Sequence, residues 1–182
     1  MNSYQQITRL FQQHLETLSL SVDELADAIE VIATAIVQTS FAEKKVFVVG
    51  LGFDGISAQS LIHSLEAGLE RDRPALPCIG VSDLHHGSRG SAIQWACNRL
   101  RALGQPADIV VVFGQQLTTE DRDLIAKAAT QRDMTALWVP NEGGTDSIMT
   151  MTTAAQAQQQ MTALAIGYLV DVLAFGPISN EA

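Results

Sequence analysis

The chain has 182 residues, 47% of them hydrophobic and 17% charged, a composition that fits one packed domain and excludes a disordered chain. Twenty acidic against eleven basic residues give a formal net charge of -9. Such a surface repels a nucleic-acid backbone, and the scattered basic residues form no patch that would override it, so direct nucleic-acid binding is not expected. Aromatic residues make up only 5%, too few for a single-strand stacking platform.

In chain order, Tyr4, Ile7, Leu10, Phe11, Leu15 and Leu18 recur at three- and four-residue spacing and paint one apolar stripe on a helix. Ser21 and Glu24 form a capping-box signature, which predicts a second helix with Leu25, Ile29, Ile32 and Ile36 inward. This helical extension, about residues 1–40, is expected to pack on the unit that follows and on another subunit. The start of the chain has neither a basic segment nor an apolar one, so no signal peptide is expected. No apolar run approaches the length of a membrane span, and the cytoplasm is the default location.

From Lys45 the pattern alternates. Val46-Phe47-Val48-Val49 is a continuous apolar run, mostly β-branched, ending at Gly50, as in a buried parallel strand. A helix over Ser57–Leu69 follows, then a strand at Pro77-Cys78-Ile79-Gly80-Val81 and a helix from Ser88 to Leu103 with Ala92, Trp95, Ala96, Leu100 and Leu103 inward. Ile109-Val110-Val111-Val112-Phe113 is the strongest strand and should be central. Thr118 or Thr119 can cap the next helix, which carries Leu124, Ile125, Ala128 and Ala129. Thr135–Val139 reads as a fourth strand and Ser147–Thr150 as a short fifth. A last helix runs from Thr153 to Ala174, with Met161, Leu164, Ala165, Tyr168, Leu169 and Val172 on its face. Strands alternating with helices imply a parallel α/β sheet covered on both sides. One domain over residues 1–182 is expected, with its α/β core at 44–175. Cys78 and Cys97 are isolated in apolar stretches, without metal-type spacing, and read as buried thiols.

Several stretches together resemble one family. Gly50-Leu51-Gly52 follows a strand where sugar-isomerase (SIS) domains carry Gly-Asn-Gly. Glu70-Arg71-Asp72-Arg73-Pro74-Ala75-Leu76-Pro77 is similar to the Arg-Pro-x-x-Pro segment of phosphoheptose isomerases. Arg101-Ala102-Leu103-Gly104, Gln131-Arg132-Asp133-Met134-Thr135, the Ala58-Gln59 pair and Ser64 resemble the DiaA-like side of that group. The resemblance covers almost the whole chain. It implies a three-layer α/β/α sandwich with a five-stranded parallel sheet, flavodoxin-like, plus N-terminal helices that help to build dimers or tetramers. It also implies phosphosugar binding at the carboxyl ends of the strands and, for the DiaA-like side, association with the initiator DnaA.

The motifs that carry this chemistry are altered here. A phosphate site needs N–H and O–H donors. The family's serine after the second glycine is matched by Asp54, whose carboxylate works against a phosphate; its alternative role is to cap the following helix. The second phosphate loop reads Gly114-Gln115-Gln116-Leu117-Thr118-Thr119, where only Thr118 and Thr119 keep hydroxyls and Leu117 replaces a glycine. The family's histidine and glutamate, four residues apart on one helix, fall on Ser60 and Ser64, which do not titrate near neutral pH. The catalytic histidine of the last helix falls on Gly167, and Gln159 alone survives of the metal-binding set, too little for zinc. No cofactor is implied.

His85 and His86, after Ser82 in the loop Ser82-Asp83-Leu84-His85-His86-Gly87, are the nearest spare acid–base groups. His14 and His63 read as surface or boundary residues. A degenerate ligand site would thus comprise Gly50, Gly52, Asp54, Ser60, Ser64, Ser82, His86, Thr118, Thr119 and Gln159. Three readings stand: a non-catalytic adaptor acting through a protein partner; a phosphosugar aldose–ketose isomerase (sedoheptulose 7-phosphate type) with a rearranged site around His85 or His86; and a domain that binds phosphosugar without turnover.

Overall fold

A computed structural model describes residues 2–83, 89–140 and 152–178. Its elements are helix α1 (Ser3–Phe41), strand β1 (Val46–Leu51), α2 (Asp54–Ala67), β2 (Cys78–Asp83), α3 (Arg89–Leu103), β3 (Ile109–Phe113), α4 (Thr119–Thr130), β4 (Thr135–Trp138) and α5 (Thr153–Phe175). All strand pairings are parallel, in the order β2-β1-β3-β4. The sheet has four strands among the described residues; the segment 147–150, expected as a fifth, lies outside them.

β1 and β3 are the two inner strands, as their unbroken apolar runs require, because both faces of an inner strand of a covered sheet are buried. Val46 and Val48 of β1, with Ile109, Val111 and Phe113 of β3, point into a cluster shared with α1, α2 and α5. Phe47, Val49 and Leu51 of β1, with Val110 and Val112 of β3, point into the opposite cluster, closed by α3 and α4. The result is the expected three-layer α/β/α sandwich.

The N-terminal region is one 39-residue helix and not two. Asn2 provides the cap: its side chain accepts from Gln5 N–H while the Gln5 side chain accepts from the Asn2 N–H. Ser21, read as a cap in the sequence, is instead mid-helix, and its Oγ donates to the Leu18 carbonyl. A serine can bond back to its own helix as readily as it can start one, so the capping-box pattern misleads here. Leu25, Ile32 and Ile36 are buried as expected, whereas Tyr4, Ile7, Phe11 and Leu15 are more than half exposed.

Two further inward-facing assignments need correction. Leu103 and Leu124 are exposed. On α5 the residues turned toward the core are Ala163, Ile166, Gly167 and Val170, while Met161 and Tyr168 are exposed. This helix is apolar on more than one side, since it packs on both α1 and α2, so periodicity alone chooses the wrong face.

The Arg73-Pro74 segment fastens α2 to α5. Arg73 is buried and its Nε donates to Asp171 Oδ1 at 2.7 Å. Its two other nitrogens donate to the carbonyls of Leu65 and Ser64 at 2.9 and 2.6 Å. Asp171 also accepts from Leu69 N–H. These bonds satisfy the open carbonyl end of α2, which a helix terminus demands.

Candidate functional site

The carboxyl ends of β1 and β3 lie side by side, and the loops that leave them carry the candidate residues. Gly50 has no room for a side chain: an added Cβ would lie 2.5 Å from both Ala58 Cβ and the Asp54 carbonyl oxygen. Gly52 has φ +61°, a backbone conformation open to glycine, and it lets the chain turn at once into α2. The first helical N–H groups are already used: Gly55 donates to the Gly52 carbonyl and Ile56 to that of Phe53. This start of α2 is therefore wound shut, with no side-chain cap.

Asp54 is neither exposed nor a cap. It is fully buried as the first residue of α2. Its Oδ2 accepts from the backbone N–H of Gln116 in the β3–α4 loop at 3.1 Å, and its Oδ1 accepts from Nε2 of Gln159 on α5 at 2.9 Å. One carboxylate thus ties three segments together.

Around it lies a network of hydroxyls and amides. Ser57 Oγ faces the side-chain oxygens of Gln159 and Gln160, each at 3.3 Å. The Gln160 side-chain nitrogen donates to Ser60 Oγ. Ser60 Oγ donates to the Ile56 carbonyl and Ser64 Oγ to the Ser60 carbonyl. Further along, Gly167 lies against Ser64, so that a Cβ added at 167 would meet Ser64 Cβ at 2.6 Å. Gly52, Asp54, Ser60, Ser64 and Gln159 are therefore brought to one side of α2, with Gly50 packed beneath.

The remaining candidates separate. Ser82 Oγ donates to Gln59 Oε1, away from this network. Thr118 caps α4 in a reciprocal box with Asp121, and Thr119 is exposed at the first position of that helix. Leu117 is buried in the core and its N–H donates to the Gly114 carbonyl, so the β3–α4 loop closes on itself over an apolar plug. His86, with His85, lies outside the described residues. His63 is exposed and His14 contacts Thr153 Oγ1 on α5.

Sequence reading missed Ser57 and the Gln116 backbone as members of the network. The recurrence of serine at 57, 60 and 64 on one helix face, and the run Gln158-Gln159-Gln160, were the available signals. The donor set does not suit a metal. Gln159 gives its nitrogen to Asp54 and accepts from Ser57 through its oxygen, and no three of His, Cys, Asp or Glu converge among the described residues.

No family model matches the chain. Similarity to curated relatives is direct, however. A phosphoheptose isomerase of Methylococcus capsulatus is 27% identical over 151 residues, covering 80% of this chain and 77% of the relative. The DnaA initiator-associating protein DiaA of Yersinia pestis is 27% identical over 142 residues, covering 72% and 69%. The solved structure of a phosphoheptose isomerase from Francisella tularensis superposes with a TM-score of 0.73 at 21% identity, covering 94% of this chain and 99% of that one. The chain is thus similar to phosphoheptose isomerases and to DiaA over most of its length, and it shares the fold of a solved phosphoheptose isomerase.

In this chain the network has little acid–base capacity. Its only ionisable member among the described residues is Asp54, which is held by donors on both oxygens. Moving a proton between adjacent carbons needs titratable groups placed at that substrate. Serine, glutamine and glycine offer none.

Proposed function

We propose that the chain is a non-catalytic SIS domain, spanning residues 1–182, that works in the cytoplasm as an oligomeric adaptor of the DiaA-like kind. The observation that carries this reading is the Gly167–Ser64 contact. The resemblance assigns an acid–base pair to these two positions, and here they are small, in contact and without a group that titrates near neutral pH. The name of the Yersinia relative supports a replication initiator as the partner. The exposed apolar residues of α1, Tyr4, Ile7, Phe11 and Leu15, support self-association, since an apolar stripe of this extent is normally covered. No helix among the described residues is long and apolar enough to cross a membrane.

Immobilised chain should retain the initiator DnaA from solution, and should show no ketose–aldose interconversion of sedoheptulose 7-phosphate. Failure to retain DnaA would sink the adaptor version. The isomerase reading draws on the names of the other relatives and needs its acid and base from His85 or His86. Turnover abolished by His86→Ala would establish that reading instead.

A further inference from the structure

β1 lies between β2 and β3, so the chain leaves its carboxyl end toward one side and later returns on the other. Doubly wound sheets bind ligands in the crevice this creates. In this protein the crevice between the ends of β1 and β3 is spanned by Asp54, which accepts from Gln116 N–H and from Gln159 Nε2. The carboxylate is fully buried and sits in the first turn of α2, where the helix dipole favours negative charge. Burying a carboxylate is costly unless donors meet it, and here donors from two other segments do.

The geometry points to Asp54 as a built-in occupant of an oxyanion site: its carboxylate takes the donors that a phosphate, sulfate or carboxylate ligand would use, and its charge excludes such a ligand. The site is thereby latent, closed by one side chain. Gln116 N–H, Gln159 Nε2 and the nearby Ser57 hydroxyl form the donor set that would face an incoming anion once the carboxylate is removed. Serine at position 54 shortens the side chain, removes the charge and leaves space where the carboxylate was. Asparagine removes the charge but keeps the volume. This deepens the non-catalytic reading and rests on it in one respect, that the closed crevice does not turn over a phosphosugar.

The test compares the unchanged chain with Asp54→Ser and Asp54→Asn, melting each in inorganic phosphate and in chloride at matched ionic strength. The unchanged chain should be indifferent to phosphate. Asp54→Ser should melt at a lower temperature in chloride and rise with phosphate, with an affinity about tenfold or more above that of the unchanged chain, the scale on which a neighbouring like charge acts. Asp54→Asn should respond more weakly. A folded Asp54→Ser that ignores phosphate overturns the proposal, as does an unchanged chain that responds equally. If Asp54→Ser is unfolded in chloride, phosphate should restore its circular dichroism, and failure of that rescue also overturns it. Loss of DnaA retention with an intact phosphate response would sink the adaptor reading alone.

Discussion

Gly167 on α5 rests directly on Ser64 of α2, close enough that a Cβ at 167 would lie 2.6 Å from Ser64 Cβ and 2.8 Å from its Oγ. Real β-carbons do not approach so closely, so the two helices can hold this spacing only while position 167 is glycine. Gly167→Ala should destabilise the fold by about 1–3 kcal/mol, the usual cost of overpacking. Combining it with Ser64→Gly should restore part of the loss, giving a coupling of about 0.5–3 kcal/mol in a double-mutant cycle measured by urea unfolding. Simple additivity would show that the contact does not set the helix spacing.

The Arg73–Asp171 pair closes the other end of the same helix interface. Arg73→Met leaves Asp171 buried and without its cation, and should cost about 3–5 kcal/mol. Arg73→Met with Asp171→Leu should be less destabilised than Arg73→Met alone, because no charge is then left stranded. Denaturation midpoints of the three variants check this.

Asp108 links the start of β3 to the start of β1. It is buried, and burial alone would raise its pKa. The N–H groups of Lys45 and Gln105 and the Lys45 ammonium at 2.9 Å reverse this and hold the carboxyl below the usual range. A depressed folded value means that the contribution is present above the ordinary carboxylate pKa and is lost as pH falls through the folded value. The stability difference between the unchanged chain and Asp108→Asn should therefore hold from neutral pH down to about pH 4 and shrink below it. A difference that grows in acid would contradict the assignment.

Both cysteines should be unreactive in the native protein. Burial, reinforced by the charge of Glu66, pushes Cys78 up to about 12. Burial also raises Cys97, with Arg101 pulling the other way and Asp121 adding to the rise. Iodoacetamide at about pH 8 should label neither thiol until urea is added, since the thiolate is the nucleophile. Mass spectrometry of the native and unfolded chain reads this directly.

Much of the architecture is legible without coordinates. Val46–Val49 and Ile109–Phe113 announce buried inner strands because few other settings accept unbroken apolar runs rich in β-branched residues between glycine or helix signals. A cap at Thr118 or Thr119 is legible because capping is local, and the structure selects Thr118 through its box with Asp121. The site is less legible. Asp54 reads as a helix cap within its own segment, while its actual partners are 62 and 105 residues away. Side-chain bonds of that reach leave no mark on local spacing.

The sequence by itself determined the α/β class, the inner strands, the resemblance to SIS domains and the loss of the acid–base residues that resemblance implies, because each depends on short-range pattern or residue identity. Tertiary structure alone decided that α1 is continuous through Ser21, that α5 turns Ala163, Ile166 and Val170 inward, and that Asp54 fills the crevice between β1 and β3. These outcomes turn on which surfaces compete for the same side chain. That competition is settled only when distant segments are packed together.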